Sequence, residues 1–150
     1  MKQRKWKPPD SYDKAELAEL IERVKLSDVD AIEEAVVFTA KESFGLWHGR
    51  ARAKICRNLK CREIPRSCQD LLVQIICNRL LAGEFSEQFK DQLAMAIRFR
   101  PIEMSQCATL ACGSPKAYVQ RYAQWVLNSL STTEQMRKHT KSLDSRVPDT

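Results

Sequence analysis

Hydrophobic side chains recur along most of this chain at intervals of three and four residues, which places them on one face of an α-helix. The first such stripe comprises Leu17, Leu20, Ile21 and Val24. Stripes of this kind predict seven helices, at about residues 12–25, 28–43, 47–60, 65–81, 86–99, 101–112 and 115–130. The stripe of the fourth helix includes Leu71, and Gly83 after this helix predicts a left-handed end. No alternating polar and apolar run and no hairpin dipeptide competes with this pattern. The sequence therefore predicts an all-α fold in which short loops place consecutive helices antiparallel.

The pattern divides the chain into three regions. Residues 1–10 form a basic arm with two consecutive prolines, which we expect to be extended and flexible. Residues 11–130 carry the helical stripes and predict a single all-helical domain, as a length of 150 residues and a hydrophobic fraction of 43% suggest. Residues 131–150 lose the periodicity, and their polar composition predicts a disordered tail.

Hydropathy and cysteine spacing indicate the compartment. No apolar run approaches the roughly 20 residues of a membrane helix, and no apolar stretch follows the basic N-terminus as in a secretory signal. The six cysteines include no C-x-x-C pair of a structural zinc site, and several fall on apolar helical positions. We therefore expect a cytoplasmic protein with reduced thiols, no metal, no cofactor and no membrane contact.

The last predicted helix carries a family resemblance. Ser114 and Pro115 precede an inward-facing Val119, and Ala123 and Leu127 follow at intervals of four. This pattern resembles the second helix of a HEAT-type repeat, although Gln120 stands where the family has a basic residue. Residues 51–59 and 89–97 match more weakly. The resemblance implies a short α-solenoid of stacked helix pairs that presents a binding surface; an irregular helical bundle is the alternative.

The positive charge is concentrated in one stretch. The chain carries a net charge of +6, and residues 46–66 alone hold seven basic residues and one acidic residue. The preceding residues 11–45 hold nine acidic residues and four basic ones. Clustered charge creates a field that dispersed charge does not, so this stretch is the main electrostatic feature of the sequence.

The basic cluster has two interpretations. On a helical wheel Arg50, Lys54 and Arg57 lie within about 60° of each other, where like charges repel. The acidic helices beside them could balance this charge. Alternatively, a DNA or RNA backbone could do so, with release of counterions and with an aromatic side chain of the arm stacked on a base. The candidate anion-binding residues are Arg50, Lys54, Arg57, Lys60, Arg62, Arg66, Lys5 and Trp6.

Three further residues of this stretch have predicted roles. Arg52 falls in the apolar sector of its helix, so we expect it to be buried and paired with Glu33 or Glu34. Trp47 and His48 lie between two glycines and form a candidate ligand turn. The alternative is a helix–helix turn in which Trp47 fills the core and His48 caps the next helix.

Catalytic motifs are absent from the sequence. It contains no phosphate-binding glycine loop, no H-E-x-x-H and no G-x-S-x-G. Cys56 lies about 12 Å from His48 along one helix, too far for a nucleophile pair, which leaves only a cysteine from another helix as a partner. We therefore expect a non-catalytic binding module, a protein–protein adaptor or scaffold whose partner is another protein. Nucleic-acid binding through the basic helix and the arm is the alternative.

Overall fold

A computed structural model describes residue 8 and residues 11–41, 47–85 and 88–145, with side chains as far as residue 131. These residues form seven α-helices: α1 (Lys14–Lys25), α2 (Val29–Ala40), α3 (His48–Leu59), α4 (Arg66–Ala82), α5 (Lys90–Phe99), α6 (Pro101–Ala111) and α7 (Ala117–Ser145). No strand occurs in the described ranges, and the predicted all-α fold is confirmed.

Local chemistry fixes several helix ends. The Asp13 side chain accepts from the backbone N–H of Glu16 at 2.8 Å, and the Glu16 carboxylate accepts from the backbone N–H of Asp13 at 3.3 Å. This reciprocal capping box begins α1. Gly83 ends α4 with φ of 72°, the left-handed conformation that its position after the helix predicted.

The end of α7 differs from the prediction. The helix continues to Ser145, whereas the lost periodicity predicted an end near residue 130. Residues 131–145 contain neither glycine nor proline, so no helix breaker stands in this stretch although its apolar stripe has ended. The predicted tail 131–150 is thus helical in its backbone as far as Ser145, and residues 146–150 lie outside the described part of the chain.

The helices pack in two series. α1, α3, α5 and α7 adjoin one another in that order, and α2, α4 and α6 adjoin one another beside them. Most helices therefore contact both the next helix and the one after it. The core between the two series includes Phe38 of α2 and Phe89, both almost fully buried.

The cysteines are all free thiols. Cys56 and Cys107 are buried, Cys68, Cys77 and Cys112 are half-buried, and Cys61 is exposed. Within the part of the chain that the structure describes, no helix combines the length and the apolar character that crossing a bilayer requires.

Candidate functional site

The predicted basic cluster is partly assembled on the outer side of α3. Arg50, Lys54 and Arg57 are exposed there, while Ile55 and Leu59 of the same helix are completely buried. Lys54 and Arg57 line a shallow groove of about 410 Å³ between α3 and α1. We call this groove, whose lining includes Lys25, Lys54, Arg57 and Asn58, the α1–α3 groove.

Acidic side chains balance part of this charge. Glu22 also lines the α1–α3 groove and lies 3.0 Å from the ammonium of Lys25. Asp91 of α5 lies 3.7 Å from Arg57, whose side chain is 55% exposed, so water screens the pair strongly. Among the described residues Lys54 has no ion-pair partner. The α1–α3 groove therefore keeps a positive character at its α3 wall.

Arg62 belongs to the fold more than to the groove. Its guanidinium donates to the carbonyl oxygens of Val24 and Lys25, both at 2.7 Å, and to that of Asn58 at 3.2 Å. The first two carbonyls end α1, where the helix dipole is negative and orphan acceptors need donors. The prediction of an anion-binding Arg62 overlooked this role, because its carbonyl partners lie almost 40 residues away in sequence.

The other predicted anion-binding residues are scattered. Lys60 is half-buried just after α3, and Arg66 is exposed at the first position of α4. Lys5 and Trp6 lie outside the described residues, so the contribution of the N-terminal arm stays a prediction. The structure brings Lys54 and Arg57 together with Lys25, which the sequence reasoning did not include.

Arg52 is buried as predicted, and it contacts the end of α2 and the ring of Phe38. Its Nη2 donates to the Lys41 carbonyl at 3.3 Å, and its guanidinium lies 5.2 Å from the ring centroid of Phe38. Glu34, one of the two predicted partners, lies 3.8 Å from Arg23. Arg52 thus stabilises the C-terminal end of α2, a structural role.

The predicted helix–helix turn has Trp47 in the core and His48 as the cap of the next helix, and the structure shows neither. Trp47 is 40% exposed, and the Lys14 ammonium lies 4.2 Å from its ring centroid. His48 fills the core instead: it is 2% exposed and packs edge-on against Phe38 at 5.4 Å. His48 is also not a cap, since its Nε2 donates to the Tyr12 carbonyl at 2.9 Å. The core environment of His48 makes it a structural residue.

Cys56, the cysteine nearest to His48 in sequence, is a poor nucleophile. Burial raises the pKa of Cys56 to about 12, so the nucleophilic thiolate is not formed near neutral pH. The described residues also contain no group of three His, Cys, Asp or Glu side chains placed to hold a metal ion.

A second surface, which the sequence reasoning missed, lies on α4 and α6. Asp70 pairs with Arg100 at 2.8 Å and Cys77 Sγ lies 3.5 Å from Met104 Sδ, so the two helices run side by side in the same direction. This register places Leu71 level with Ile102, and Leu81 level with Leu110. We call these four residues, all exposed, the α4–α6 face.

The α4–α6 face is free of charge along most of its length. Residues 71–78 and 104–111 contain no charged side chain, although 29% of the chain is charged. The exposed residues between its leucines and isoleucine include three amides, Gln74, Asn78 and Gln106. The hydropathy pattern predicted Leu71 to be inward-facing, whereas it is 44% exposed because Val73 and Arg79 occupy the buried side of α4. The two uncharged stretches are the feature of the sequence from which this surface could have been predicted.

Comparison with known proteins leaves the site to be interpreted from its own geometry. The chain matches no protein-family model, no curated protein and no solved structure.

Proposed function

We propose that this chain is a non-catalytic binding module, a protein–protein adaptor that docks an amphipathic helix of another protein on the α4–α6 face. The observation that carries the proposal is the uncharged surface of two parallel helices with exposed aliphatic side chains at both ends. The serial packing of alternate helices supports a HEAT-like solenoid, the architecture that such adaptors use to present one surface.

The composition of the α4–α6 face distinguishes it from ordinary surface. Single exposed leucines are common on soluble proteins, but Ile102 and Leu110 are 71% and 69% exposed on one side of a single helix. Exposed apolar residues beside uncharged surface are typical of the centre of a protein interface, and the charges here, Asp70 and Glu103, lie at one end of the face. Burial of these side chains against a partner would add hydrophobic free energy to the binding.

The geometry favours a helix as the occupant. Ile102 and Leu110 are separated by about 12 Å, which corresponds to two helical turns and matches apolar residues at i and i+7 of a docked helix. The amides of Gln74 and Gln106 can bond to polar side chains at the edge of such a helix. The partner helix should therefore be apolar along one stripe and uncharged beside it.

Affinity purification from the native cells tests the adaptor proposal. The double variant Ile102→Asp with Leu110→Asp places two charges on the α4–α6 face. Leu26→Asp is the matched control, because Leu26 is 82% exposed at the turn between α1 and α2. We expect one protein to co-purify with wild type and with the control but not with the double variant. That protein should then bind purified chain with a negative heat-capacity change. Partners that are identical for all three chains would overturn the proposal.

Nucleic-acid binding is the second candidate, favoured by the α1–α3 groove. Lys25, Lys54 and Arg57 line one cleft, and exposed Arg50 lies on the same side of α3 one turn before Lys54. Contacts to a phosphate backbone need cations in such a row and require no base recognition. Lys25 belongs to α1 and Lys54 and Arg57 belong to α3, so the α1–α3 groove lies on the other series of helices from the α4–α6 face.

Salt-dependent titration tests this second candidate. The probe is a fluorescent RNA or DNA oligonucleotide of random sequence, measured by anisotropy at several salt concentrations. The double variant Lys54→Ala with Arg57→Ala should weaken binding and reduce the salt slope by about 2. Arg121→Ala, an exposed residue of α7, is the control and should match wild type within error. Absence of binding by wild type at low salt would exclude this function.

The cytoplasm is the compartment that we propose for this binding module. Six free thiols in one chain fit a reducing environment, in which structural disulfides do not persist.

A further inference from the structure

Two cysteines meet where α4 packs against α6. Cys107 Sγ lies 3.6 Å from the carbonyl oxygen of Cys77, so the thiol of α6 rests against the backbone of α4. Cys77 Sγ lies 3.5 Å from the sulfur of Met104, one turn before Cys107. Three sulfur atoms are therefore gathered at this helix–helix contact. A disulfide at this contact would join two helices that already pack side by side.

The two thiols differ in their chemistry. A hydrogen bond from Cys107 lowers the pKa of Cys77, although burial and the charge of Glu103 oppose this effect. The same hydrogen bond, together with burial, raises the pKa of Cys107 well above its usual range. Cys77 is also half-buried, whereas Cys107 is 5% exposed. Cys77 therefore has the better access for attack, and the directions of the two pKa shifts favour Cys77 over Cys107 as the attacking thiolate.

We propose that Cys77 and Cys107 form a site of reversible oxidation by peroxides, which yields a disulfide between α4 and α6. The Cys77 thiolate attacks one oxygen of the peroxide, the O–O bond breaks, and Cys77 becomes a sulfenic acid while hydroxide leaves. The Cys107 thiol then attacks the sulfenic sulfur, a S–S bond forms, and the sulfenic oxygen leaves as water. Overall, two thiols lose two electrons and two protons, and one hydrogen peroxide becomes two waters.

Two of the four other thiols provide contrast within the same chain. Cys56 is completely buried with a raised pKa, so peroxide cannot form a sulfenic acid there by the same route. Cys61 is exposed and lies on the connection between α3 and α4, away from the α4–α6 contact. The oxidation does not depend on the adaptor function, because the reaction is detected in the chain alone.

Peptide mass mapping of the full chain tests the proposal. Reduced, desalted protein is treated with hydrogen peroxide at a small excess, its remaining thiols are alkylated with iodoacetamide, and it is digested without reductant. We expect one pair of linked peptides, containing Cys77 and Cys107, about 2 Da lighter than the sum of the two free peptides. Fragmentation of the linked pair should place the bond at these two residues, because their tryptic peptides also contain Cys68 and Cys112. Dithiothreitol should separate them. Peroxide-treated wild type in which both residues are recovered alkylated would overturn the proposal.

Two variants and a control assign the steps. Cys107→Ser should stop at the sulfenic acid, which a dimedone probe labels at Cys77. Cys77→Ser should leave Cys107 fully alkylated after the same treatment. Cys61→Ser is the control and should form the Cys77–Cys107 link to the wild-type extent. Equal dimedone labelling of wild type and Cys107→Ser would contradict Cys107 as the resolving thiol. The wild-type mass map decides the main point even where a variant folds poorly.

Discussion

Arg79 and Gln92 form a buried hydrogen bond at the junction of α4 and α5, with the guanidinium Nη1 2.7 Å from the amide Oε1. The Nη2 group of the same arginine donates to the carbonyls of Thr39 at 2.9 Å and Ala40 at 3.2 Å. These carbonyls end α2, where the dipole is negative. One buried arginine thus connects three helices, and it does so by satisfying acceptors that the core would otherwise leave without donors.

Removal of this arginine should destabilise the whole domain. Arg79→Met keeps most of the apolar volume but leaves Gln92 and two carbonyls unsatisfied, which we expect to cost about 2–4 kcal/mol of unfolding free energy. Urea denaturation followed by circular dichroism measures the loss. Arg98→Met is the control, because Arg98 is exposed on α5 and its replacement should stay within about 0.5 kcal/mol. Equal midpoints for the two variants would exclude this role for Arg79.

Arg62 should affect stability more than binding. Arg62→Ala removes three hydrogen bonds to main-chain carbonyls, two of them at the end of α1, and we expect a loss of about 1–2 kcal/mol. Its neighbour Lys60 is the matched control, since Lys60→Ala removes a cation of the same segment. The same urea assay applies to both. A drop in stability for Lys60→Ala as large as that for Arg62→Ala would show that net charge, and not the carbonyl contacts, matters here.

The helices could be predicted from sequence because each one carries its own apolar stripe. Leu17, Leu20, Ile21 and Val24 needed no knowledge of the remainder of the chain, and all four are buried. The end of α4 could also be predicted from local sequence, because a glycine directly after a helix favours the left-handed conformation. Gly83 adopts this conformation, with φ of 72°. The exposure of Arg50, Lys54 and Arg57 also followed from a helical wheel.

Long-range partners could not be predicted in this way. Arg79 donates to carbonyls about 40 residues earlier in the chain, and main-chain carbonyls leave no mark in a sequence. Trp47 and His48 were assigned by size and polarity, but the start of α3 directs the smaller ring into the core. Leu71 was placed inside by its spacing, whereas the buried side of α4 is turned towards Val73 and Arg79. The α4–α6 face could be recognised only from the register of two helices.

Glycine substitutions should distinguish the C-terminal ends of α4 and α6. Gly83→Ala puts a side chain at φ of 72°, and the added Cβ would lie 2.8 Å from the Tyr118 hydroxyl and 3.0 Å from Val119. We expect a loss of about 1–3 kcal/mol from strain and crowding. A Cβ at Gly113 would meet only the Leu110 carbonyl, at 3.4 Å, so Gly113→Ala is the control. Thermal unfolding of both variants checks this, and a Gly83→Ala midpoint at or above that of Gly113→Ala would contradict it.

High pH should destabilise the fold through Tyr12. Burial first, and then the charge and hydrogen bond of Glu34, raise the pKa of Tyr12 from 10.0 to about 12. The folded chain therefore holds the phenolic proton more tightly than the unfolded chain does. This contribution to stability is complete below about pH 10 and is lost as the pH rises towards about 12.

The Tyr12→Phe variant isolates this contribution. It removes the titrating group and keeps the ring, which packs edge-on against Phe38 at 5.4 Å. We expect the unfolding free energy of wild type to fall between pH 10 and pH 12 more steeply than that of the variant, since other groups titrate equally in both. Urea midpoints at intervals across this range give the two slopes. Tyr122→Phe, which changes a half-buried tyrosine on α7, controls for the loss of a phenol elsewhere in the fold. Parallel curves for wild type and Tyr12→Phe would mean that Tyr12 ionises equally readily in the folded and unfolded chain.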